Sequence, residues 1–225
     1  MNGALNVQVD YDPSQVPRFI AVEGPIGVGK TTLAKNLAQT FGYDTLLEQA
    51  EDNPFLERFY QNQRVNALPT QLHFLFQRAK QIQALRQGDM FEPVRIADFL
   101  MEKDQLFAQV TLDDDEFRLY QQVYDQLTID TPTPDIVVYL QAPLDVLIER
   151  INHRGIKAEK HIDTAYLRAL NDAYTKFFHY YHQSPLLIVN AAEIDLVNND
   201  EHYKQFVDYL LSIKSGRHYY NPAAL

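Results

Sequence analysis

The chain has 225 residues, 46% of them hydrophobic and 22% charged, enough apolar material for a sizeable core in one large domain. Its formal net charge of −10 excludes a broad electrostatic grip on nucleic acid or an anionic membrane, so any anionic ligand must be held by a local cluster of donors. With no cysteine, no secretory pattern at the N-terminus and no apolar run of about 18 residues, disulfides, thiolate metal sites and a spanning helix are not expected, and a cytoplasmic location is.

Residues 1–17 show no periodicity and read as a flexible lead-in. "RFIAV" (18–22) is a short apolar run ended by glycine, the pattern of a buried strand. From Thr31 the spacing turns helical through Leu33, Leu37 and Phe41, with Gly42 as the stop. "DTLLE" (44–48) predicts a second strand, and "NPFLERFY" (53–60) a helix opened by Asn and Pro. A longer helix is expected over 70–87, capped by Thr70 and ended by Gly88, followed by a strand in "VRIAD" (94–98). Helices over about 101–111 and 115–128 precede the clearest strand, "DIVVYLQ" (135–141). Pro143 opens a helix stopped by Gly155; Tyr166 to Tyr181, "PLLIVN" (185–190) and 201–213 complete a helix, a strand and a helix. Alternating strands and helices without a hairpin signal predict an α/β fold with a parallel sheet of about five strands and helices on both faces. The expected organisation is a single domain over 18–215 with a lid near 154–163, and 216–225 as a tail.

Chemistry enters at "EGPIGVGKTTLA". Gly24, Gly29, Lys30 and Thr31 fit G-x-x-x-x-G-K-[ST] between a strand and a helix, the P-loop context. Its backbone amides and helix N-terminus suit phosphate oxygens, Lys30 adds a cation, and the Thr31 hydroxyl suits Mg²⁺. Gly24, Gly27, Val28, Gly29, Lys30, Thr31 and Thr32 form the expected phosphate-binding set. Phosphoryl transfer also needs a group to take the acceptor's proton and cations around the moving charge. Two acids fall at predicted strand ends: Glu48, suited to a base, and Asp98, suited to the metal or its waters. Either alone could equally be a solvated loop acid. Gln71 and Arg78 share a helix face flanked by Phe74 and Leu75, a set able to read and stack on a base, or simply a polar face. Arg150 and Arg154 enter the polar run "IKAEKH", either as lid arginines over the phosphates or as cations at a helix C-terminus.

The ordered set "EGPIGVGKTTLA", "LLEQAEDNPFLERFY", "TQLHFLFQR", "DFLMEKDQLFA" and "VVYLQAPLDVLIERINHRG" resembles the deoxynucleoside kinase family, which includes deoxycytidine kinase and the bacterial deoxyadenosine and deoxyguanosine kinases. The resemblance runs over about 18–212. It implies a P-loop kinase fold and transfer of the γ-phosphoryl of ATP or another triphosphate to the 5′-hydroxyl of a deoxynucleoside, with Mg²⁺ as cofactor and a homodimer as the assembly. By resemblance Glu48 is the general base, Tyr60 and Glu159 hold the sugar 3′-hydroxyl, and Gln71, Arg78 and Asp104 belong to the base site. Arg150 and Arg154 match lid arginines, Asp98 the metal-supporting acid, and "VNAAEID" (189–195) the loop beside the ATP adenine. Two departures stand out. Asp98-Phe99-Leu100 occupies the place of an Asp/Glu-Arg-Ser motif, so Arg78 or Arg64 must supply the missing cation, or activity is reduced. The match at Asp104 needs a one-residue gap, which leaves Glu102 as a substitute. Thymidylate or another nucleoside monophosphate kinase, and a catalytically weak nucleotide-binding member of the family, are the alternative functions.

Overall fold

Among the described residues six parallel strands carry the frame: β1 (Phe19–Glu23), β2 (Asp44–Leu46), β3 (Arg95–Ala97), β4 (Ile136–Gln141), β5 (Leu186–Asn190) and β6 (Arg217–Tyr220). The computed structural model describes residues 9–87, 95–127, 131–197 and 199–221, with the side chains of 84–87 left aside. Lead-in residues 1–8, the helix stop at Gly88, Val94, Thr128 and tail residues 222–225 lie outside the described residues. The sheet order is β2-β3-β1-β4-β5-β6. Every pairing is parallel, as strands joined through helices require.

Period-two alternation sorts the central strands between two apolar layers. Ile20, Val22, Ile136, Val138, Leu140, Leu187 and Val189 face α1 (Lys30–Phe41) and α8 (Asp200–Ser212). Ala21, Val137, Tyr139, Leu186 and Ile188 face α4 (Lys103–Thr111) and α7 (Thr164–Tyr180). The remaining helices are α2 (Leu56–Gln61), α3 (Gln63–Gln87), α5 (Asp114–Leu127) and α6 (Leu144–Arg154). Both faces are covered, so the strands read as near-continuous apolar runs.

Two expectations need correction. The sheet has six strands rather than about five, because β6 forms inside the segment read as a tail. Its sequence, Arg-His-Tyr-Tyr, carries no aliphatic run, and its backbone pairing with β5 decides its state. In addition, α3 starts at Gln63, not at Thr70. Pro69 sits inside the helix, and the Thr70 hydroxyl donates to the Asn66 carbonyl one turn back at 2.7 Å instead of capping. A proline there removes one backbone donor without stopping a helix whose turns are packed against α2 and α4.

The topology positions the site. β3 lies between β1 and β2, so the residues leaving all three strands, Gly24, Leu47 and Asp98, emerge along one edge. Ligands of open α/β sheets collect at that edge.

Candidate active site

The phosphate loop leaves β1 at Gly24, whose φ of +150° suits glycine alone. A Cβ there would lie 2.4 Å from the Leu140 carbonyl oxygen of β4, so the close approach of loop to sheet also needs hydrogen at that position. At Gly27 (φ +85°) a Cβ would lie 2.7 Å from Ile151 Cγ1, because the loop packs onto α6. Lys30 curls back over its own loop: Nζ donates to the carbonyls of Gly24 at 2.7 Å and Pro25 at 3.1 Å. Burial, with help from the neighbouring Lys103 ammonium, pushes its pKa down to about 8 against the opposing pull of Glu23, Glu48 and Asp98.

Asp98 links this loop to the next strand. One carboxylate oxygen accepts from the Thr31 hydroxyl at 2.5 Å, the other from the Glu48 backbone N–H at 2.7 Å. Thr31 and Asp98 thus present adjacent hard oxygens beside the phosphate cradle, a donor set that fits Mg²⁺, which takes one or two protein oxygens and completes its shell with phosphates and water.

Glu48, just past β2, is the centre of a charged cluster. Its Oε2 accepts from Arg78 Nη2 at 2.6 Å and from Lys103 Nζ at 2.8 Å, while its side chain keeps 19% exposure toward the cavity. Burial alone would raise this carboxyl, but Arg78 and Lys103 outweigh it and hold the group far below the usual carboxylate range. Arg78 also pairs through Nη1 with the fully buried Asp104, and its guanidinium lies 5.3 Å from the Phe74 ring and 5.7 Å from the Phe99 ring.

These groups line one cavity of about 130 Å³. Lys30, Thr31, Glu48, Tyr60, Gln71, Arg78, Asp98, Arg154 and Glu159 all reach it, so most of the residues singled out in the sequence meet there. Tyr60 is buried and its hydroxyl is held well above the usual tyrosine range by burial and by Glu159 and Glu48. Arg154 grips Glu159 with Nε at 3.1 Å and Nη2 at 2.5 Å, an ion pair formed between the end of α6 and the 3₁₀ turn Lys157–His161. Gln71 is buried in the cavity wall beside Phe74.

Three placements differ from the reading of the sequence. Asp104 does not line the cavity; it stands behind Arg78 and fixes it. Glu102 borders a different surface hollow with Lys176 and Tyr180, so it does not substitute for Asp104. Arg150 and Arg154 do not act side by side. Arg150 donates to the carbonyls of Val28 at 3.2 Å and Ala191 at 2.7 Å, facing a second cleft of about 830 Å³. That cleft is lined by Val28, Gly29, Thr32, Leu140 and residues 191–197, and it includes the predicted loop 189–195 in part.

Sequence reasoning missed two residues. Lys103, in the first turn of α4, reads as a solvated lysine, yet it is buried against Glu48. Glu23, the last residue of β1, is fully buried and accepts from Gly24 N–H at 2.9 Å, Leu100 N–H at 2.7 Å and the Tyr174 hydroxyl at 3.1 Å. An acid ending an apolar strand was the available signal for Glu23; nothing local marked Lys103. Arg64, one of the two arginines weighed for the missing motif position, is exposed and outside the cavity, whereas Arg78 does reach Glu48.

Comparison with known proteins accords with this geometry. The family model for deoxynucleoside kinases matches residues 20–213. The deoxyguanosine kinase of Bacillus subtilis is 42% identical over 161 residues, covering 69% of this chain and 76% of that protein. The deoxyadenosine/deoxycytidine kinase of the same organism is 28% identical over 203 residues, covering 87% and 92%. Among solved structures, the deoxyadenosine kinase from M. mycoides with bound dATP superposes with a TM-score of 0.75 at 26% identity, covering 86% of this chain and 100% of that one. A phosphate loop and a carboxylate line one cavity at the edge of the sheet, and the matches agree with it: the chain belongs to the deoxynucleoside kinase family and is an enzyme that phosphorylates deoxynucleosides from a nucleoside triphosphate.

Proposed function

We propose that the acceptor deoxynucleoside occupies the cavity under Arg78, with its 5′-hydroxyl between Glu48 and the phosphate loop, and that ATP with Mg²⁺ is the donor. The observation that carries this is the placement of Glu48, Lys30 and Thr31 on the walls of one cavity that also holds Tyr60 and Gln71. As the bond from the hydroxyl oxygen to the γ-phosphorus forms, the bond to the leaving diphosphate breaks and the hydroxyl proton passes to Glu48. A loose transition state asks mainly for alignment and neutralisation of charge. Lys30 leaves the Gly24 and Pro25 carbonyls for the phosphates, and Arg154 faces the transferring group. Thr31 and Asp98 would hold the metal, which would offset the charge of the phosphates. Arg150 holds the loop and the 191–197 segment together at the donor cleft.

Tyr60 and Glu159 flank the sugar and hold its 3′-hydroxyl, which leaves little room for a 2′-hydroxyl. The cavity is small beside the roughly 300–1,000 Å³ of common ligand clefts, so admission of a nucleoside displaces the turn at 157–161 and its Arg154–Glu159 pair. That turn is the proposed lid. The base is a purine, guanine first. Gln71 and Arg78 are the side chains best suited to purine edges. Buried Arg78 Nε has no partner among the described residues, a donor suited to a carbonyl such as guanine O6. The 42% relative is named a deoxyguanosine kinase. A cytoplasmic homodimer completes the proposal, on the family resemblance. Incubating the protein with Mg·ATP and each of four deoxynucleosides and four ribonucleosides tests the reading. Deoxyguanosine should give the most monophosphate; a preferred pyrimidine or ribonucleoside refutes the base and sugar assignments respectively.

A further inference from the structure

Glu48 is held by two cations that are not equivalent. Arg78 is shared: one guanidinium nitrogen serves Glu48, another serves buried Asp104, and two aromatic rings confine its plane. Lys103 is committed to Glu48, with Nζ 2.8 Å from Oε2 and 5.2 Å from the Phe107 ring centroid, on the cavity wall. With Glu48 and Asp104 negative and Arg78 and Lys103 positive, the cluster is neutral. Without Lys103 it carries a buried net negative charge. The segment directly after Asp98 supplies no replacement, because Phe99 and Leu100 are both buried in apolar clusters. The lysine is also held in register with the phosphate loop. Glu23 accepts from both Gly24 N–H and Leu100 N–H, and the Lys103 N–H donates to the Leu100 carbonyl at 3.3 Å.

We infer that Lys103 is the positioning residue of the acceptor site: its ammonium keeps the Glu48 carboxylate aimed at the acceptor hydroxyl, supplying the cation that the residues adjoining Asp98 do not. Lys103 acts through Glu48. A neutral side chain at 103 leaves Glu48 with a guanidinium that also serves Asp104, so the carboxylate loses one of the two cations that anchor it. The inference rests on Glu48 being the base. Glu48→Gln tests that premise by itself: full turnover in that variant sinks the base assignment whatever Lys103 does.

The test compares wild type, Lys103→Met and Lys103→Arg for deoxynucleoside phosphorylation at pH 7, with melting temperature and triphosphate affinity measured alongside. The expected result for Lys103→Met is a fall in kcat of about 10²-fold, with triphosphate affinity and deoxynucleoside KM each within about threefold of wild type. Lys103→Arg keeps the charge and should recover at least about tenfold of the lost kcat. A kcat kept in Lys103→Met, or lost equally in folded Lys103→Arg, overturns the inference, since a merely structural lysine would alter stability without this split between kcat and KM or its rescue by charge. Should Lys103→Met not fold, Lys103→Ala with and without added ethylammonium replaces it. Recovery of at least about tenfold in kcat by the amine supports the assignment, and no recovery in folded protein overturns it.

Discussion

The proposed donor cleft and the proposed acceptor cavity both border the phosphate loop but are built by different means. The donor side is wide, about 830 Å³, and is assembled from local segments, the end of the glycine loop, the first turn of α1 and residues 191–197, with Arg150 holding main-chain carbonyls. The acceptor side is about 130 Å³ and made of side chains, among them Glu48, Arg78, Lys103, Tyr60 and Glu159, each delivered by a different element. Backbone donors recognise any polyphosphate and depend on local geometry. Side-chain clusters recognise one acceptor and depend on long-range folding.

The largest expected effect breaks the acceptor side alone. Glu48→Gln keeps the size of the side chain but removes the base, and steady-state kinetics should show kcat reduced by about 10²-fold or more while triphosphate affinity persists. Unchanged turnover would return Glu48 to the status of a structural ion pair. The next breaks the donor side. Gly24→Ala places a methyl against the Leu140 carbonyl at a φ disfavoured for L-residues, so denaturant unfolding should report a loss of about 2 kcal/mol, with triphosphate binding impaired. A variant as stable as wild type would show that the loop's contact with β4 is soft.

A third measurement joins the two sides through Lys30. Its pKa, lowered by burial to about 8, means that the free enzyme loses this charge as pH rises through 8, while a bound triphosphate favours the charged form. Triphosphate affinity should therefore hold below about pH 8 and weaken about tenfold by pH 9, as read by titration calorimetry. A flat profile would show Lys30 fully charged in the free loop. The smallest effect sharpens the acceptor side: Gln71→Ala should raise the deoxynucleoside KM about fivefold and leave the ATP KM unchanged, the scale of one buried hydrogen bond. Equal changes in both would remove Gln71 from the base site.

The contrast between the two sites also explains what the sequence disclosed. The phosphate loop was legible because its function lies in consecutive residues with fixed backbone demands; β1, β4 and β5 were legible as apolar runs, and β2 and β3 as short alternating segments closed by acids. Glu48 and Asp98 were visible as acids closing strands. Lys103 was not, because its partner is 55 positions earlier in the chain and a lysine beginning a helix ordinarily meets water. The same holds for the separation of Arg150 from Arg154: spacing put both on one side of α6, but whether each meets the Val28 carbonyl or Glu159 is decided by the elements packed around them. The strand at 217–220 escaped notice because edge pairing, rather than its own residues, creates it.

The position of Asp98 has a consequence for how such a catalyst can change. A single carboxylate spans from the hydroxyl that begins α1 to the main chain at residue 48, and it is mounted on the strand that runs between the two it joins. In the proposed reaction, the gap that phosphate must cross is thus gauged by the seating of β3 among its neighbours. Loops on either flank can be remodelled for new bases or new donors while that gauge stays fixed.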